Sequence, residues 1–173
     1  MNAPWCIMHT RLQRRKQKST AAEVAGCRIR YGKSDSQIVR DIIHDPAFLC
    51  QESTEATEAD LAIAEDLLDT LKANWEHCAF LAANMIGERK RIIAFCNGPL
   101  FVIMLNPKII THTGAYESEE ECPSLEGKRE TKRYASIVVT WQDTEMKHRT
   151  ATLDGFAARL VQHAIDHCNG ILV

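Results

Sequence analysis

The sequence predicts an α+β fold: antiparallel β-sheets packed around a C-terminal helix, with a second long helix ahead of the strands. Three observations carry this reading. An apolar face recurs at three- and four-residue spacing from Glu58 to Trp75, two short apolar runs flank Asn97-Gly98, and a second helical pattern runs from about Gly155 to His167.

The compact part starts near Ile38. In the first helix Leu61, Ala64, Leu67, Leu68, Leu71 and Trp75 share one face, which assigns that face to the core. Thr57 followed by Asp60 three residues on is a start signal. From residue 91 the period changes. RIIAFC (91–96) and LFVIML (100–105) read as strands, and Asn-Gly between such runs signals a hairpin. Asn106-Pro107 is expected to end the second strand, since proline disfavours helix at the residue before it and punctuates the run. Tyr134 to Trp141 is rich in β-formers, and 147–153 is expected to pair with it. The last helix carries Phe156, Leu160 and Ile165 and ends at Asn169-Gly170, a left-handed stop.

Composition bounds the function classes. At 173 residues the chain fits one domain, and 45% apolar residues are enough for a core. Residues 1–33 hold eight Lys/Arg and one acidic residue, Glu23, so a total of −2 leaves −9 for residues 34–173. Residues 1–36, with the basic cluster RLQRRKQK, show no sustained periodicity and read as a disordered extension; residues 37–173 form the domain. A transit-like presequence and nucleic-acid attachment are the competing readings of the extension, and no specific nucleic-acid partner is expected. No apolar run approaches the ~20 residues that cross a membrane, and there is no apolar secretory segment, so the expected location is cytoplasmic. The seven cysteines include no CxxC pair, which argues against a disulfide framework.

His163 and His167, four apart on a helix, present both imidazoles on one face, where they could hold a metal ion. The same spacing also suits two exposed or capped histidines near a helix end. A third ligand is needed, and Cys122 stands in a loop after the acidic run Glu117-Ser118-Glu119-Glu120-Glu121 and before Pro123.

Three segments then fall into order: Cys78-Ala79-Phe80-Leu81-Ala82-Ala83-Asn84-Met85 followed by Ile86-Gly87, then Glu120-Glu121-Cys122-Pro123-Ser124, then Gln162-His163-Ala164-Ile165-Asp166-His167. Over roughly residues 38–173 the chain resembles the peptide deformylases, whose motifs GxGLAAxQ, EGCLS and QHExDH occur in that order. The resemblance implies one divalent metal ion held by Cys122, His163 and His167, Fe²⁺ first and Zn²⁺, Ni²⁺ or Co²⁺ as replacements. It also implies metal-assisted hydrolysis of the formyl group from N-formylmethionine of nascent peptides, a step of N-terminal methionine processing in protein biosynthesis.

The chain departs from that pattern where the family does its chemistry. Ala164 stands at the position of the glutamate that shuttles the proton, and Met85 at that of the glutamine that supports the oxyanion. Pro123 follows the cysteine, where the family offers a backbone N–H and proline has none. Phe80 and Glu121 replace motif glycines and are expected to crowd the site. The resulting expectation is a pseudoenzyme with the metal ligands kept and activity low or lost. The alternatives are an active deformylase using Glu120 or Glu121 as a substitute carboxylate, and a non-catalytic module that binds formyl-Met peptides, nascent chains or the ribosome.

Overall fold

The computed structural model describes residues 37–173; the basic stretch 1–36 lies outside the described residues. After a short helix α1 (Pro46–Leu49), capped by the Asp45 carboxylate accepting the Ala47 N–H at 2.9 Å, the chain reaches the long helix. Asp60 accepts from both the backbone N–H and the hydroxyl of Thr57, at 2.8 and 2.9 Å, so the start signal in the sequence is a formed cap. One 3₁₀ turn (Glu58–Asp60) leads into α2 (Leu61–Ala73). Leu67, Leu68 and Leu71 are fully buried, each worth about 1.5–3 kcal/mol on transfer from water. The helix stops at Ala73, before Trp75, which is 53% exposed and so does not extend the core face.

Five strands follow in one antiparallel sheet, ordered as in the chain: β1 (Phe80–Ala82), β2 (Ile92–Asn97), β3 (Leu100–Glu121), β4 (Lys128–Gln142) and β5 (His148–Asp154). Asn97 pairs with Leu100, so the hairpin turn sits on Gly98-Pro99, one residue later than the Asn-Gly signal suggests, with Gly98 at φ +64°. The expectation that Asn106-Pro107 ends the strand is corrected. β3 runs on to Glu121, with register shifts between Leu105 and Lys108 and between Ile109 and Thr111. Asn106 takes φ +53°, a conformation asparagine tolerates. Its side chain accepts from the Ala56 N–H at 2.7 Å and donates to Ala56 O and Gln142 Oε1. The irregularity is therefore satisfied by side-chain hydrogen bonds, and pairing resumes beyond it.

The last helix, α3 (Gly155–Cys168), packs on β4, β1 and β2. Its end is fixed by a close approach: Gly170, at φ +70°, passes so near Cys50 that a Cβ there would lie 2.3 Å from the Cys50 carbonyl oxygen. The Ser53 N–H also donates to Cys168 O at 2.9 Å. Among the described residues no helix is long and apolar enough to cross a membrane.

Candidate metal centre

The end of β3 and the last helix deliver three donor groups to one place. Cys122 is the first residue after β3, and its buried side chain is held by the turn that follows, where Leu125 N–H donates to Cys122 O at 3.2 Å and Ser124 N–H approaches Sγ at 3.4 Å. His163 and His167 lie one turn apart on the buried face of α3, their rings nearly parallel at 5° and 5.3 Å between centroids. A donor atom from each of the three residues falls within 4.8 Å of the others, and His167 Nε2 is 3.1 Å from Cys122 Sγ. Ligands of a tetrahedral ion with the usual Zn–S and Zn–N bond lengths stand about 3.3–3.6 Å apart, so the three groups are near enough to close around one ion.

Protonation fits as well. His163 Nδ1 donates to Glu120 Oε2 at 2.9 Å, which leaves Nε2 for the cluster. His163 Nε2 is buried with no protein partner, and buried polar atoms normally have one. Burial, followed by the neighbouring His163, lowers His167 to about 3, so this imidazole stays neutral, the form that binds metal. Burial pushes the Cys122 thiol up, against the opposing Ser124 and Leu125 N–H groups, so a buried thiolate here calls for a cation beside it.

A buried ion-pair network backs the cluster. Arg133, 4% exposed, donates to both oxygens of Glu120 at 2.9 Å and to Asp166 Oδ2 at 2.6 Å. Burial alone would raise Glu120, but the His163 and Arg133 hydrogen bonds and the guanidinium charge outweigh it and hold the carboxyl at about 2. Asp166 goes the other way, raised by burial in spite of Arg133. Sequence reasoning missed Arg133. A signal was present, because Arg133, Ile137, Val139 and Trp141 share the inward phase of β4, and a charge in that phase demands a buried partner.

The other residues singled out by the resemblance are placed as follows. Ala164 is fully buried next to His163 on α3. Met85, also fully buried, turns its sulfur toward the Ala82 N–H at 3.3 Å. Pro123 lines a cavity of about 160 Å³ together with Cys78, Phe80, Glu120, Glu121, Cys122, Phe156, Arg159, Leu160 and His163. Asn84, from the first motif, ties its segment to the last by donating to His167 O at 2.8 Å.

The comparisons agree with this geometry. The polypeptide deformylase family model matches residues 38–173. The chain belongs to the polypeptide deformylase family. It is 47% identical over 136 residues to the peptide deformylase of Clostridium beijerinckii, which covers 79% of this chain and 100% of the relative. It is 35% identical over 113 residues to peptide deformylase 2 of Clostridium acetobutylicum, covering 64% of this chain and 73% of that one. The crystal structure of the Thermotoga maritima peptide deformylase superposes with a TM-score of 0.70 at 27% identity, covering 79% of this chain and 95% of that one. The Met-Ala-Ser complex of the class I type b enzyme from Acinetobacter baumannii gives 0.70 at 22% identity, covering 78% and 97%, a likeness of fold. The antiparallel sheet and C-terminal helix expected from the sequence are those of the structure.

Proposed function

We propose that this chain is a metal-binding member of the deformylase family in which hydrolysis of N-formylmethionyl peptides is weak or lost. The cluster of Cys122, His163 and His167 supports the metal half, and its mixed thiolate and imidazole donors suit Fe²⁺, Zn²⁺, Co²⁺ or Ni²⁺, with Fe²⁺ first by resemblance. When bound, such an ion supplies Lewis acidity that polarises a carbonyl and acidifies water.

The single observation that carries the second half is Ala164, a methyl group buried one residue from His163 where the family motif has a carboxylate. It can neither accept nor return a proton. Met85 offers a sulfur acceptor already directed at Ala82, and Pro123 has no N–H to donate. An acid/base group contributes about 10²–10⁴-fold and each oxyanion donor about 10²–10³-fold, although residues acting together are not additive. Even the low end of that range removes useful turnover.

Glu121 supports a second reading. It lines the cavity beside Cys122 and pairs with Lys128 at 3.8 Å near the surface, while Glu120, which lines the cavity too, is held by Arg133 and His163. In that reading Glu121 substitutes as the base. A non-catalytic role in holding nascent chains, with or without the ribosome, is compatible with the first reading.

The test is turnover of a formyl-Met peptide by metal-loaded protein with metal content measured on the same sample. The expected result is stoichiometric metal with turnover lower by roughly a thousandfold or more than that of an ordinary family enzyme. Comparable turnover abolished by Glu121→Gln establishes the second reading instead. Protein purified without chelator that contains no divalent metal overturns both.

A further inference from the structure

Phe80 opens β1 at the place where the family motif has its second glycine, and only 4% of it is exposed. Its ring centroid lies 4.5 Å from that of His163 and 6.3 Å from that of His167, tilted 46° to both. It therefore touches the two imidazoles from the strand side, while Cys122 approaches from the end of β3. The cavity reaches Phe80, Cys122 and His163, but His167 is not among its lining residues and is wholly buried. His163 Nε2, the nitrogen left for the cluster, is itself shielded from solvent.

Structural metal sites are closed, and catalytic ones keep a position open to an outside ligand. Three protein donors leave one position, and Phe80 lines the cavity beside Cys122 and His163 with its ring against the His163 imidazole. A smaller residue at 80 would widen the cavity where it meets Cys122 and His163. Phe80 has little freedom to swing aside, because it is paired with Phe95 across β1 and β2 and Phe95 is fully buried.

We propose that Phe80 covers the remaining coordination position and restricts any outside ligand there to a water-sized molecule or a small linear anion. The inference rests on the metal-binding reading above. It explains a deformylase fold with ligands intact that rejects the family's peptide on steric grounds, independently of the missing base.

The test uses the full chain loaded with Co²⁺, whose visible spectrum reports a change of ligand. Three probes are titrated into the wild type and Phe80→Ala: azide, acetohydroxamate and a peptidyl hydroxamate. Azide is expected to shift both spectra. Both hydroxamates are expected to bind Phe80→Ala more tightly by about 10–100-fold, the penalty of forcing extra atoms into a packed site. Should Phe80→Ala not fold, the wild type alone decides, because there the peptidyl extension should gain nothing over acetohydroxamate. Hydroxamates binding the wild type as tightly as the variant, a wild-type preference for the peptidyl form, or no azide response from Co²⁺-loaded wild type overturns the inference. Failure to take up Co²⁺ at all overturns the metal-binding reading beneath it.

Discussion

His163 Nδ1 stands 2.9 Å from Glu120 Oε2, and the same carboxylate receives two hydrogen bonds from Arg133. The contact leaves His163 Nε2 as the free ring nitrogen, so Glu120 would position this candidate metal ligand from the far side of its ring. Arg133 in turn links Glu120 on β3 to Asp166 on α3, so strand and helix meet through one buried guanidinium.

Glu120→Gln should therefore weaken metal binding by about 10–100-fold, the usual cost of losing an outer partner of a metal-bound histidine. It should also destabilise the fold by about 3 kcal/mol, because Arg133 keeps Asp166 but loses a buried counter-charge. Competition with a chromophoric chelator measures the first effect and urea unfolding the second. Wild-type metal affinity in Glu120→Gln would show that the Glu120 contact leaves the ligand unaffected.

The same carboxylate gives a pH dependence. Its folded-state value of about 2 lies below the ordinary 4.5. A depressed acid stabilises the fold fully above its unfolded value, and that contribution disappears as pH falls through the folded one. Stability of the metal-free protein should thus drop between about pH 4.5 and 2, by on the order of 3 kcal/mol from this group. Asp166, raised by burial, opposes part of it. Glu120→Gln should flatten the drop in this window, which denaturant titrations at successive pH values would read.

Cys122→Ser exchanges a thiolate for a hydroxyl that stays protonated, and a three-residue site becomes a two-histidine one. Metal content on purification should fall to a small fraction of the wild-type value, by at least about tenfold. Elemental analysis checks it, and unchanged content would place the ion elsewhere.

Deleting residues 1–36 should leave the thermal midpoint of the domain nearly unchanged. The segment has no periodic apolar face with which to bury surface. Calorimetry of both forms decides it; a fall of more than about 5 °C, the equivalent of about 1 kcal/mol, would show that it packs on the domain.

Much of this site was legible because its chemistry is local. Helical spacing put His163 and His167 on one face but equally suited two capped histidines, and grouping them with Cys122 rested on three motifs in order, each a short local pattern. The core face of α2 was legible for the same reason up to Leu71, and Trp75 was misplaced because the helix stops before it. What depended on distant partners was not legible. The continuation of β3 through Asn106-Pro107 rests on Ala56 and Gln142, 50 and 36 residues away. Arg133 follows the largely charged run Lys128–Lys132, and its inward phase acquires meaning only when Asp166, 33 residues on, is brought beside it. Phe80 could be named as crowding, but its contact with both histidines is a matter of tertiary packing.

Reversion should restore deformylase activity only as a set. Ala164→Glu returns a carboxylate beside His163 on the buried face of α3, yet leaves Pro123 without an N–H and Met85 without an amide. Met85→Gln places a donor where the sulfur now accepts from Ala82, and Pro123→Leu restores a backbone donor after Cys122, but neither supplies a base. Each change alone should thus raise kcat/KM by less than about tenfold. A base without an oxyanion donor cannot complete the step, and a donor without a base cannot either. The roles are coupled, so the gain of the triple variant should exceed the product of the single gains. Phe80→Ala added to the triple should raise it further, by lowering KM more than by raising kcat, since that residue obstructs binding and takes no proton. Steady-state kinetics on a formyl-Met peptide, with metal content matched across the series, measures all of these. Strictly multiplicative gains would show that the three positions act independently. A single Ala164→Glu variant with ordinary family activity would show that Pro123 and Met85 are no obstacle to the oxyanion and that the missing carboxylate alone limits the wild type.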